Sequence, residues 1–371
     1  MKILSLVAFI LILCISQRCV AQYTEPNDIN VLARYITDRQ LSTDTQSSNG
    51  AIWQWITPRG EDTVYEVIPY FAHCAARGLA RTGIAKYEVN AKNWMNWYLA
   101  HMDSIGRSVN HYYMTGSTVD SIVSPDDIDA QDADIATFFT LADDYLTATS
   151  DKLFFTKQVK VKLETAAKFL IENLIDKDHL SYASETYAMK YTMDNSQVYE
   201  GLMALAMIEK EVYLDNGSYN IYRAKAAATQ AAIRLWLYDP VSGMYSNSTN
   251  TKTIAKNWYE PAGVVATLWP QFCGVESYKS ERSAHQREIV SQNFNPKNKN
   301  DWTDSSFVQD TLHTYPWASV GYIYSMAGDT AAGHKQLSYV VGLFKDSTGA
   351  HCNLEEAGWA LMHLATIYKR P

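Results

Sequence analysis

The chain has 371 residues, 47% of them hydrophobic, and a formal net charge of −8, which is enough material for one large or two ordinary folded domains. An acidic balance with no basic run argues against nucleic acid and anionic membranes as partners. Five cysteines are too few for a disulfide scaffold, and no stretch has the apolar length of a membrane span.

The first element is a leader. Met1 to Ala21 reads as a secretory signal peptide, with Lys2 as its positive start, Ile3 to Ile15 as its apolar region and Cys19-Val20-Ala21 as its cleavage site. The small residues of a lipoprotein signal do not precede Cys14 or Cys19, so a secreted or periplasmic location without an anchor is expected. Residues 22–371 follow as a single domain, because no linker rich in Pro, Gly or Ser divides them. Cys74, Cys273 and Cys352 remain after the leader, each in an apolar stretch, and read as buried thiols.

Apolar residues at three- and four-residue spacing predict twelve helices, at roughly 25–41, 64–82, 85–103, 132–149, 152–175, 195–212, 218–237, 260–274, 278–292, 314–327, 330–345 and 354–369. Short strands are expected at Val109–Met114 and Thr118–Val123, and a small turn at Asp239–Ser246. Gly83 and Gly328 are placed to close helices. The helices alternate between two kinds. One kind is apolar nearly all round, as in Val67–Ala76, Asp132–Thr149, Gly201–Ile208, Pro261–Trp269, Ala318–Ala327 and Ala357–Ala365, and must be surrounded by protein. The other is amphipathic: in 152–175, Leu163, Ala167, Leu170 and Leu174 form a stripe while Lys157, Lys160, Lys162 and Lys168 face away.

This alternation, repeated every 60 residues or so, implies stacked helical hairpins. The expected fold is therefore all-α, an (α/α)6 toroid with six inner and six outer helices and a few short β-hairpins in the loops. An open solenoid is the alternative, but it would leave a large apolar face exposed at its end.

In a closed ring the inner helices run in one direction, so their starts gather at one mouth. The residues at those starts are Glu61, Asp62, Tyr65 and Glu66; then Asp126, Asp127, Asp129, Asp132 and Asp134; then Tyr191, Asp194, Tyr199 and Glu200. Trp258, Tyr259 and Glu260 follow, then Asp310, His313, Tyr315 and Trp317, and last His351, Glu355 and Glu356. Trp53 and Trp55 precede the first group and read equally as core or as one wall of the mouth. Such a cup, acidic and lined with rings, suits a hydroxyl-rich neutral ligand. Glycoside hydrolysis needs one protonated and one ionised carboxyl group, and crowding of like charges provides both states.

Plainer roles compete for the same residues. Asp129 or Asp132 reads as an N-cap, Asp194-Asn195 as a cap of the next inner helix, and Glu66 and Glu200 as complements to helix dipoles. Asp134 is the least natural cap and the strongest single catalytic candidate. Calcium is the metal that the Asp126–Asp134 group would suit, but the Gly and distal Glu of an EF-hand loop are missing. HExxH, P-loop, dinucleotide and GxSxG motifs are absent, so neither a metal nor a cofactor is expected.

DAQDADIATFFTLADDYLTATSD, VIPYFAHCAARGLARTG and MDNSQVYEGLMALA resemble the inner-helix segments of the six-hairpin glycosidase superfamily, whose members are (α/α)6 toroids. The resemblance to its family-8-like glycoside hydrolases implies Glu61 or Glu66 as proton donor, and Asp132, Asp134 or Asp194 as the base or a sugar-positioning residue. VYEVIPYF stands where those hydrolases have a Gly-rich sequence around the donor. The expected function is a glycoside hydrolase acting on an oligo- or polysaccharide. A glycan-binding protein without catalysis and a helical-repeat interaction protein are the alternatives.

Overall fold

The structure is a computed structural model that describes residues 25–42, 47–60, 62–114, 122–123, 130–250, 261–294, 316–345 and 352–368. Among these residues the outer helices are α1 (Glu25–Thr37), α3 (Ala85–His101), α5 (Lys157–Phe169), α7 (Asn216–Ala232), α9 (Glu281–Phe294) and α11 (Thr330–Lys345). The inner helices are α2 (Pro69–Arg81), α4 (Gln131–Thr149), α6 (Thr192–Glu211), α8 (Pro261–Phe272), α10 (Ala318–Ala327) and α12 (Leu354–Ile367). Helices α5 and α7 each end in a single π-helical turn, Leu170–Leu174 and Ile233–Leu237.

Neighbouring inner helices pack in the order α2, α4, α6, α8, α10, α12, and α12 packs back on α2. The ring is closed, as the all-round apolar surface of these helices requires. Each outer helix covers the ring with its apolar stripe: Leu163, Ala167, Leu170 and Leu174 of the α5 segment are all buried. The three described cysteines are buried and free.

Two pairs of inner helices meet backbone to backbone. A Cβ added to Gly78 of α2 would stand 2.5 Å from the Gly358 carbonyl oxygen of α12, and one added to Gly201 of α6 would collide with the Ala136 carbonyl of α4. Only glycine permits so close an approach without displacing the neighbouring helix.

The helix expected over 64–82 is a strand followed by a shorter helix. Strand β1 (Trp55–Arg59) pairs antiparallel with β2 (Asp62–Val67), β2 with β3 (His111–Met114), and β3 with β4 (Ile122–Val123). Thr63 to Val67 is rich in β-branched and aromatic residues, which suit a pleated surface. Ile68 is extended because it precedes a proline, and Pro69 opens α2, where its missing N–H costs nothing. Glu66 therefore stands on a strand rather than in a helix's first turn. A two-stranded hairpin of β5 (Tyr238–Asp239) and β6 (Met244–Tyr245) occupies the expected turn.

Helix α10 begins through a strained residue. Trp317 has φ 63° and ψ 45°, a left-handed conformation that bulky side chains rarely adopt. The buried Glu356 carboxyl of α12 accepts the Ala318 N–H at 2.7 Å and also bonds the Trp317 amide. Burial pushes the Glu356 carboxyl from the ordinary 4.5 up to about 8.

Two outcomes follow from this packing. Gly201→Ala should lower stability by about 1–3 kcal/mol through overpacking, whereas Gly342→Ala, whose added carbon meets open space, should be neutral or gain up to about 1 kcal/mol; urea midpoints compare the two. Folded Glu356 holds a proton that the unfolded chain releases, so its contribution is complete below pH about 4.5 and disappears as pH rises through about 8. Glu356→Gln should flatten that slope, giving a variant more stable than wild type at high pH but not at low pH.

Candidate functional site

Asp134 stands in the first turn of α4, at the amino-terminal mouth. The residue is 7% exposed and borders a narrow crevice formed by Ile68–Tyr70, Ser108–Asn110 and Ala130. The Tyr98 hydroxyl of α3 donates to Asp134 Oδ2 at 2.9 Å. His73 Nε2 of α2 lies 3.1 Å from Oδ1, close enough to bond but poorly aligned.

Trp94 fixes the state of that imidazole. Its indole N–H can only donate, and it donates to His73 Nδ1 at 3.0 Å. Nδ1 is therefore the unprotonated nitrogen, and the ring proton sits on Nε2, facing Asp134. Burial lowers the His73 pKa, against the raising effect of Asp134, which favours the neutral ring. Trp94 belongs to a column of rings along α3: it stacks on Trp97 with centroids 4.8 Å apart, and Trp97 stacks on His101 at 4.3 Å. The Trp97 N–H then donates to the Tyr113 hydroxyl of β3 at 3.1 Å.

The sheet carries the second carboxylate. Glu66 of β2 is paired with Trp55 of β1 and Tyr112 of β3, a row that shares one face of the sheet. All three side chains are half-buried, and the Tyr112 hydroxyl donates to Glu66 Oε1 at 3.3 Å. Tyr65 belongs to the face that packs inward with Tyr113 and tilts against Trp53, centroids 5.7 Å apart. Trp53 in turn lies under the Arg39 guanidinium.

Asp132 and Asp194 have another setting. Asp132 is wholly buried, accepts the Ala133 N–H at 2.8 Å, and takes the Ser181 hydroxyl. Ser181 also donates to Asn195 Oδ1, from its hydroxyl at 3.1 Å and its backbone N–H at 2.7 Å, so the starts of α4 and α6 are tied through the loop between α5 and α6. Asp194 is 2% exposed. Neither Asp132 nor Asp194 is the N-cap: those positions belong to Ala130 and Tyr191. Tyr191 shares a 3.1 Å hydroxyl contact with Tyr187.

Two of the expected mouth residues lie deeper. Glu200, in the third turn of α6, is bonded to Arg77 of α2 at 2.8 Å. Tyr199 packs against the core. Trp317 is half-buried at the start of α10. Trp258, Tyr259, Glu260 and Tyr315 fall outside the described residues, as do Glu61, Asp126, Asp127, Asp129, Asp310, His313, His351 and the stretch Met1–Ala21 expected to be a signal peptide.

Nothing in the sequence marks Tyr98, Trp94, Tyr112 or Ser181 as part of this site. The one signal for His73 is its place as the lone His in the apolar run Val67–Ala76. One group of carboxylates could suit a cation: Glu164, Glu209 and Asp215 have oxygens within 4.8 Å of one another. The Lys160 ammonium already stands among them, at 3.6, 3.1 and 2.9 Å. Among the described residues no helix is long and apolar enough to cross a membrane.

By sequence, no protein-family model and no curated protein matches the chain. Solved structures do resemble it. A wild-type glycosidase superposes with a TM-score of 0.61 at 12% identity, over 91% of this chain and 96% of that one. A rhamnosidase from Klebsiella oxytoca with rhamnose bound gives 0.59 at 10% identity, over 94% and 64% of the two chains. An unsaturated glucuronyl hydrolase specific for heparin gives 0.55 at 9% identity, over 92% and 96%. The chain thus has the (α/α)6 toroid fold of the six-hairpin glycosidases.

Proposed function

We propose that this protein is a secreted or periplasmic glycoside hydrolase acting on an oligo- or polysaccharide at the amino-terminal mouth of the toroid. The observation that carries this reading is Asp134, a carboxylate at the crevice with one oxygen bonded by Tyr98 and the other faced by the Nε2–H of His73. Asp134 takes the role of base or nucleophile. Glu66, half-exposed beside Trp55 and Tyr112, takes the role of acid. Two carboxyl groups flanking the bond to be cleaved are what hydrolysis needs. The ring faces of Trp55 and Tyr112 would cover the C–H side of a sugar, and Trp317 would form part of the opposite rim. Asp132 and Asp194 are assigned to positioning, because each is closed off from water. The resemblance to glycosidases supports the reading at the level of fold alone.

Glycan binding without cleavage is the second reading. It is favoured by the burial of Asp132 and Asp194, which leaves fewer carboxylates at the mouth that water can reach. The closed ring offers no open concave surface for the helical-repeat alternative.

A hydrolysis screen over a glycan panel, run beside a glycan-binding array, tests both. On a cleaved glycan, Asp134→Asn should lower kcat by about 10²-fold or more with KM little changed. Tyr98→Phe and His73→Gln should act in the same direction more weakly. Full activity of Asp134→Asn on every cleaved glycan would put the chemistry elsewhere, and binding on the array without any cleavage would select the second reading.

A further inference from the structure

Outside the proposed site, the most developed feature is a cavity of about 330 Å³ on the toroid axis. It is lined from the later turns of the inner helices: Arg77 and Arg81 of α2, Asp143 and Asp144 of α4, Glu200 and Met207 of α6, Phe272 of α8, Tyr322 of α10 and Met362 of α12. It therefore lies toward the carboxyl-terminal end, away from Asp134. Its volume falls in the range of small-molecule sites.

The charges in it are unequal. The Arg77 guanidinium is fixed by Asp144 Oδ2 and Glu200 Oε1, each at 2.8 Å. Arg81 approaches Asp144 Oδ1 at 3.6 Å. Two guanidiniums thus face two carboxylates. Asp143, the third carboxylate, has neither an ion-pair nor a hydrogen-bond partner among the described residues. The remaining wall is aromatic and sulfur-bearing, with Phe272, Tyr278 and Tyr322 beside Met203, Met207 and Met362.

We infer that this axial cavity binds a small organic ammonium ion, whose single positive charge pairs with Asp143 while its carbon body lies against the rings and thioethers. One monocation matches the ionised form of Asp143, the carboxyl of this cavity that has no ion pair. Aromatic walls attract such cations through their faces, and methionine adapts to their shape. A bare calcium or magnesium ion is disfavoured, since it would seek several oxygen ligands where one carboxylate is unengaged. Burial, with Asp144, Glu211 and Glu200 near, pushes the Asp143 carboxyl up to about 7. An arriving cation relieves that repulsion.

Isothermal titration of the full-length protein tests the inference, with choline and propylammonium as cations and dimethylbutanol as the uncharged isostere of choline. Saturable binding of at least one cation and none of the alcohol is expected. Asp143→Asn should weaken cation binding by about tenfold or more, and Met207→Trp, which fills the cavity without removing a charge, should weaken it too. Circular dichroism and the melting midpoint establish that each variant is folded. No saturable binding of either cation into the millimolar range would overturn the inference, as would equal affinity in folded Asp143→Asn and Met207→Trp. Glycan hydrolysis or binding at the other mouth should persist in both variants, so failure here is distinguishable from failure of the proposed function.

Discussion

Six helices with no polar side have to be hidden from water, and everything else in this molecule depends on how that is done. The ring hides them from one another and the outer layer hides the ring. Enclosure demands close approach, supplied where Gly78 faces Gly358 and where Gly201 faces Ala136. It also produces two poles. At one pole the helix starts converge, with their free N–H groups; at the other, the later turns surround an axial cavity.

Acidic side chains are abundant near the first pole, and the structure uses them unequally. A carboxylate taken out of water must be bonded or neutralised. Asp132 is bonded to Ser181 and its own helix, and Glu356 becomes neutral while holding the start of α10. These two anchor the ends of helices. Asp134 differs by lying at a crevice, with one oxygen bonded by Tyr98 and the other faced by His73, on two other helices. Burial thus separates, among the acids of the inner helices, supports such as Asp132 and Glu356 from Asp134.

Periodicity made the toroid legible, because a helix that is apolar all round declares its place in the ring without reference to anything distant. The strand β2 is hidden in the sequence because Val64, Val67, Ile68 and Phe71 also satisfy a helical spacing, against which stand only the run Thr63–Val67, rich in β-branched residues, and the proline after Ile68. Asp134 was legible as the acid least suited to capping. Its partners were not: Tyr98 and Trp94 sit on an outer helix whose ring-bearing face reads as ordinary core, and only the tertiary fold turns their hydroxyl and N–H toward α2 and α4. Glu200 looked like part of the mouth because sequence distance along α6 does not reveal the buried Arg77 that claims it.

The column of rings on α3 has a geometric consequence. At one end it sets the proton on His73 and so the bearing of Asp134; at the other, through Tyr113, it holds the sheet that carries Glu66. Flat stacked rings compress little, so the column forms a stiff strut between His73 and the sheet. In glycoside hydrolysis the gap between the two carboxyl groups decides whether the sugar's configuration is kept or reversed. On the proposed function, the stereochemical outcome would then depend on rings of the outer layer that stand behind the residues bonded to Asp134.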